Sequence, residues 1–206
     1  MSIAIAALAA YLVGGIPFSY IAGKLAKGID LREHGSGNLG ASNTYRILGG
    51  RIALVVLILD VAKGLVPVLV ASRYDAYGAE PFRAIAAAAG AILGHLFSPY
   101  LKFSGGKGIA TSAGAFLGLA PWAFAYALGM FAVVFILRRI VSLASLAAAV
   151  ILPIAVWALP GLGLGTRHTS MIWVSTLVML VVIVKHRGNI QRLRAGTEPT
   201  LERRKG

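Results

Sequence analysis

Three short polar stretches interrupt an otherwise apolar chain, and each is built from residues suited to holding anions. "GSGNLGASNTYR" (35–46) contains three glycines, three small hydroxyl residues and two asparagines, and it ends in Arg46. "KFSGGKGIATS" (102–112) leads from paired glycines through Lys107 into an apolar run. "KHRGNIQRLRAGTE" (185–198) is basic, with one histidine, one asparagine and a single acid. Glycines let the backbone approach a ligand closely, and successive amides can form a nest for an anion. In "SGGKGIA" they precede a helix whose first amides are unpaired and partly positive, and Lys107 adds a full charge. This is a composition for binding phosphate. It is not a Walker A motif, which requires G-x-x-x-x-G-K-[ST] after a strand; here Gly108 follows Lys107. Each stretch also has a plain reading, as a glycine-rich turn for the first two and a basic segment on anionic lipid for the third.

Other routes to chemistry are narrow. The chain has no cysteine, so thiolate and disulfide chemistry are excluded. Five places after His34, His95, His168 and His186 stand Leu39, Tyr100, Trp173 and Gln191, so no H-x4-D pair exists. A G-x-S-x-G nucleophile elbow is also missing. No group of residues has metal-ligand spacing, so metal-independent activity without a cofactor is expected. Asp60 and Lys63, three apart inside an apolar run, are expected to form a structural ion pair facing the protein interior. His95 falls at the end of a run, near the candidate site or in a buried hydrogen bond. Lys102 reads equally as a phosphate contact or a snorkelling anchor. Glu198 is expected to tie its basic neighbours together.

The elements that must position these residues are apolar helices. Of 206 residues, 58% are hydrophobic and 13% charged, against about 25% charged in an ordinary soluble domain. Apolar runs occupy 3–25, 52–72, 84–100, 109–137, 140–159 and 170–184. The pattern predicts an all-α, polytopic membrane helix bundle, a single domain over 1–206 with a mobile tail at 196–206. The first run has no basic residue before it and no cleavage pattern after it, so it reads as a retained span. The net charge of +13 does not point to nucleic acid, because no soluble face exists to present it.

What matters is where the charge falls. Sixteen of the twenty Lys and Arg residues lie in 24–51, 102–107, 138–139 and 185–205, and placing all four segments on the cytoplasmic side satisfies the positive-inside rule. The run 109–137 must then leave and return to one face. Its 29 residues would extend about 43 Å as one helix, too long for an upright crossing of a roughly 30 Å core. "GLAPW" (118–122) offers a turn, because Pro121 lacks a donor and disfavours helix at Ala120. Two short helices, about 109–119 and 121–137, give about seven spans, with the N-terminus outside and the C-terminus cytoplasmic. A single tilted helix would give six and carry the last polar stretch to the opposite face. Trp122, Trp157 and Trp173 fall near outer span ends, as interfacial belt residues do.

With seven spans the three polar stretches share the cytoplasmic face, and there the sequence resembles the bacterial acyl-phosphate:glycerol-3-phosphate acyltransferases. That family's first motif is similar to S-G-N-x-G-A-T-N followed by an arginine; this chain has Ser36-Gly37-Asn38-Leu39-Gly40-Ala41-Ser42-Asn43, then Arg46. Its G-G-K-G-x-A loop matches Gly105 to Ala110. Its third motif, H-R-x-N-I-x-R-L-x-x-G-x-E, matches His186 to Glu198. Ser42 stands where threonine is usual, which keeps the hydroxyl. The resemblance covers almost the whole chain.

The resemblance implies transfer of a long-chain acyl group from acyl phosphate to the 1-hydroxyl of sn-glycerol 3-phosphate, giving lysophosphatidic acid and phosphate. It implies a multi-pass protein of the bacterial cytoplasmic membrane with its site facing the cytoplasm. Acyl phosphate is already activated, so orientation and charge stabilisation can suffice without an acyl-enzyme. Asn38, Gly40, Ser42 and Asn43, with Gly105, Gly106 and Lys107, would donate to the phosphate and carbonyl oxygens of the donor. Ser36, Arg46, Lys107, His186 and Asn189 would hold glycerol phosphate, with His186, Asn189, Ser36 and Lys107 nearest the chemistry, and Lys102, Gly108 and Arg192 would complete the substrate-binding set. The base is either His186 or a substrate phosphate, with the phosphate preferred because a basic pocket favours its dianion. The partners implied are the two substrates and membrane lipid, with no nucleic acid and no obligate protein partner. A transporter of organic phosphate would instead need access from both faces. A lipid-binding scaffold would release no phosphate.

Overall fold

Proline divides the first apolar run. In the computed structural model, which describes residues 1–76, 79–165 and 167–201, Ser2 accepts the Ile5 amide at 3.2 Å and starts α1 (Ile3–Gly15). Pro17 forces Ile16 out of helical conformation (ψ 118°), and α2 (Phe18–Lys27) begins after it. A short 3₁₀ turn (Leu31–Glu33) and a glycine-rich loop lead to α3 (Ala41–Leu48) and then α4 (Gly50–Ser72). α5 (Phe82–Leu96), a second 3₁₀ turn (Pro99–Leu101) and α6 (Ile109–Leu119) follow. The break at Ala120 comes where Pro121 places it, and α7 (Pro121–Arg138) starts there, so residues 109–137 are not one helix. α8 (Val141–Ala158), a 3₁₀ turn (Leu159–Leu162), α9 (Thr169–Lys185) and α10 (Arg187–Arg194) complete the chain. Every regular element among the described residues is helical.

Two compact units result, Met1–Leu119 and Ala120–Gly206. In the first, α1 packs along α5 and α4 packs along both α5 and α6. Glycine makes the closest approaches possible. A Cβ on Gly90 or Gly94 of α5 would fall on the carbonyls of Ala7 and Tyr11, and one on Gly64 of α4 would fall on that of Thr111. Between helices that water does not drive together, such backbone contact is a main source of attraction. Asp75 anchors the start of α5 by accepting the amides of Arg83 and Ala84 at 3.1 and 3.0 Å.

The outward faces are apolar. α4 exposes Leu54, Val55, Ile58, Val66 and Leu69 while burying Asp60, Lys63 and Gly64. That inversion suits lipid as the surrounding solvent. Among the described residues, five helical stretches are long and apolar enough to cross a membrane, and α9 with α10, bent by 61°, makes a sixth when taken as one broken span. α6 is apolar but has only 11 residues, about 16 Å.

In the second unit α7 and α8 form a hairpin around Arg139, whose φ of 55° closes α7. α9 packs on α8. Trp122 begins α7, Trp157 ends α8 and Trp173 lies in the first turns of α9, all exposed at one end of this unit. The segment from 196, expected to be a mobile tail, carries hydrogen bonds as far as Leu201, whose amide donates to Arg139 O at 2.8 Å. Residues 202–206 lie outside the described residues.

Candidate active site

The first polar stretch is a loop folded around Asn43. Buried at the start of α3, Asn43 accepts the Ser36 amide through Oδ1 at 2.9 Å. Its Nδ2 donates to Leu31 O at 3.1 Å and His34 O at 3.0 Å. Both hydrogens and one lone pair of the amide are thus spent inside the loop. Sequence reasoning gave Asn43 to the ligand, whereas the structure makes it the clamp that shapes the loop. Gly35 (φ 62°) and Gly37 (φ 68°) take the left-handed turns this wrapping needs, and a Cβ on Gly35 would strike Asn43 Oδ1. Gly40 caps α3, and Ser42 follows in its first turn. Ser36 stays exposed, and Asn38, Gly40, Ser42 and Arg46 are half-buried. At the loop's entry Asp30 holds Arg32 through a 2.6 Å contact, and the guanidinium keeps the Asp30 carboxyl below its usual range.

The second stretch is pinned to the end of α5. Ser98 Oγ donates to Gly15 O at 2.6 Å, and Ser98 O accepts the Phe103 amide at 2.8 Å. Lys102 (φ 52°) and Phe103 (φ 59°) both adopt the left-handed conformation and are exposed, just before the paired glycines. The chain then turns back against α5, where the Gly106 amide donates to His95 O at 3.1 Å. A Cβ on Gly105 would strike His95 O; one on Gly106 would strike both His95 Nε2 and Leu39 O of the first loop. Only glycine permits this clasp. Gly108 turns with φ 80°, and half-buried Lys107 stands at the entrance to α6. Below the two loops is a small cavity lined by Ser19, Leu39, Asp60, Lys63, His95 and Gly106, among others.

The third stretch is organised by its acid. Glu198 Oε1 accepts from Ser142 Oγ at 2.6 Å and from Asn189 Nδ2 at 2.5 Å, and Oε2 accepts from Arg192 Nε at 2.7 Å. Burial pushes the Glu198 carboxyl up, but the three hydrogen bonds and the Arg192 charge outweigh it and leave it below its usual range. Arg192, expected at substrate, is therefore held by Glu198, and one donor of Asn189 is committed to the same carboxylate. His186 joins α9 to α10 and is buried; its Nδ1 lies 2.8 Å from Val182 O, a carbonyl that can only accept, so Nδ1 donates.

The structure thus brings the first two stretches together through Leu39, His95 and Gly106, and ties the third through Glu198. Ser98 and Ser142 were not singled out from sequence. A hydroxyl at a helix end is the only local signal for either, and it is a weak one.

A multi-pass, all-helical membrane protein with glycine-lined loops at its helix ends is the class these features define. The family model described as glycerol-3-phosphate acyltransferase matches residues 4–196, and the chain belongs to that family. It is 44% identical over 190 residues to the glycerol-3-phosphate acyltransferase of Trichlorobacter lovleyi, with 92% of each chain covered. Identity to the Geobacter sulfurreducens protein of the same name is 42% over 189 residues, again with 92% of each covered. The fold is similar to that of PlsY (YgiH), an integral membrane glycerol 3-phosphate acyltransferase crystallised in its glycerol 3-phosphate form. There the TM-score is 0.87 at 32% identity, covering 98% of this chain and 96% of that one. The lysophosphatidic acid form of PlsY matches with a TM-score of 0.84.

Proposed function

We propose that this protein transfers a long-chain acyl group from an acyl phosphate to the 1-hydroxyl of sn-glycerol 3-phosphate. The observation that carries the reading is the clasp of the two glycine-rich loops, whose backbones meet at Gly106 and Leu39 next to Lys107 at the end of apolar helices. Such a site suits a phosphate whose acyl tail lies in lipid. The hydroxyl oxygen attacks the acyl carbonyl carbon, the new ester bond forms, and the acyl C–O bond to phosphorus breaks. Phosphate leaves with that electron pair and takes the hydroxyl proton. No acyl-enzyme forms.

Asn38, Gly40 and Ser42, with the amides of Gly105 and Gly108, stabilise the donor phosphate and the carbonyl oxyanion; the Gly106 amide, expected at the ligand, is spent on His95 O. Lys107 neutralises phosphate charge on both substrates, and with it Ser36, Arg46, His186 and Asn189 are assigned to glycerol phosphate, as the family motifs imply. Asn43 and Glu198 act structurally, because Asn43 holds Leu31, His34 and Ser36 while Glu198 holds Ser142, Asn189 and the Nε of Arg192. Seven spans, with the N-terminus outside and the loops facing the cytoplasm of the inner membrane, follow from the distribution of Lys and Arg.

The test mixes purified protein with glycerol 3-phosphate and either palmitoyl phosphate or palmitoyl coenzyme A. Lysophosphatidic acid and stoichiometric phosphate from the acyl phosphate are expected. Product from the thioester alone would overturn the donor assignment.

A further inference from the structure

α4 carries an ion pair deep in the first unit. Asp60 and Lys63 are 2% and 4% exposed and meet at 2.7 Å. Lys63 Nζ also donates to Ile16 O at 2.8 Å, at the break between α1 and α2, and stands 5.4 Å over the Phe18 ring. Two charges so fully removed from water add little net stability compared with apolar residues of similar size. Their position suggests another use. Asp60 Oδ1 lies 3.8 Å from Nδ1 of His95, an electrostatic contact longer than a hydrogen bond, and Nε2 of the same imidazole meets Gly106 where the Leu39 carbonyl also meets it. The His95 backbone carbonyl accepts the Gly106 amide. One residue therefore touches both loops, and its ring faces the buried carboxylate.

We propose that His95, oriented by the Asp60–Lys63 pair, is a positioning residue that sets the spacing between the Leu39 loop and the Gly105–Lys107 loop. The inference rests on the acyl transfer proposed above, since the loop amides must be in place where the carbonyl oxyanion develops. His95 itself touches no reacting atom. It fixes the distance across which the loops clasp, and Lys63 fixes Asp60 from the α1–α2 break. Misplacing a donor by about 1 Å lowers turnover by up to about a hundredfold.

The experiment compares His95→Gln, whose side-chain nitrogen reaches the Nε2 position against Gly106, with His95→Leu, which fills similar space without a polar atom. Initial rates with palmitoyl phosphate and glycerol 3-phosphate give kcat and KM, and hydrogen–deuterium exchange follows the peptide spanning 103–110. His95→Leu is expected to lower kcat about tenfold to a hundredfold while KM for glycerol 3-phosphate changes less than about threefold. Exchange in 103–110 quickens while α1 stays protected, and His95→Gln restores most of both readouts. If His95→Leu does not fold, His95→Asn, whose side chain stops short of Gly106, replaces it and is expected to lose turnover where Gln keeps it. Natural kcat and exchange in the variant lacking a polar atom at the Nε2 position overturn the proposal, as do equal losses in both variants. A natural protein that makes no product refutes the transfer reaction alone, and exchange in 103–110 then decides the positioning role.

Discussion

Replacing Glu198 with alanine removes the acceptor for three donors, Ser142 of α8 and Asn189 and Arg192 of α10. The Glu198 side chain is 5% exposed, and its Oε1 receives both Ser142 Oγ and Asn189 Nδ2. A buried donor deprived of its partner costs about 1–3 kcal/mol. Arg192 adds little, because its side chain is 44% exposed and water replaces the carboxylate. The two buried donors together give about 2–6 kcal/mol for Glu198→Ala. For a chain of this size that lowers the melting temperature by roughly 4–24 °C. Thermal unfolding in detergent, followed by the loss of monodisperse protein, measures the shift. Ser142→Ala removes one donor and leaves the acceptor satisfied by Asn189, so its shift is expected to be the smaller of the two. Glu198→Ala melting with the natural protein, or Ser142→Ala falling further than Glu198→Ala, would refute the reasoning.

Two further outcomes follow from the same contacts. The lowered Glu198 carboxyl stabilises the fold fully above its unfolded value of about 4.3 and loses that contribution as pH falls through the lower folded value. The difference in melting temperature between natural protein and Glu198→Ala is therefore expected to be constant near neutrality and to shrink below about pH 4. Gly64→Ala would place a Cβ on Thr111 O and within 2.9 Å of Thr111 C. Both are rigid backbone, so α4 and α6 must move apart, with a stability loss of about 1–3 kcal/mol visible in the same melting assay.

How far the sequence reveals this structure depends on whether the cause is local. The break at Ala120 was legible because Pro121 acts on its immediate neighbour. Asp60 and Lys63 were legible as a pair because i and i+3 share a helix face. Pro17 acts in the same way, yet residues 3–25 read as one run, since apolar composition continues across a break that only the backbone records. The composition of the glycine stretches marked the candidate site, but not what each side chain does there. Asn43 and Ser42 look alike as small polar residues; only the folded loop turns Asn43 inward onto Leu31 and His34. The contact of His95 with Gly106 and Leu39 joins residues distant in sequence, and no spacing rule encodes it. Glu198 stood out as the single acid in a basic segment, whereas its partner Ser142 lies in an apolar helix start with nothing to distinguish it.

Equilibrium binding of glycerol 3-phosphate to the purified protein, measured by calorimetry without an acyl donor, addresses the anion site itself. Saturable binding is expected for glycerol 3-phosphate and none for glycerol. Lys107→Ala is expected to weaken it at least about tenfold, since a charge-assisted hydrogen bond contributes about 1.5–3 kcal/mol. Equal affinity in natural protein and Lys107→Ala, or equal affinity for glycerol and its phosphate, would contradict a phosphate site at these loops.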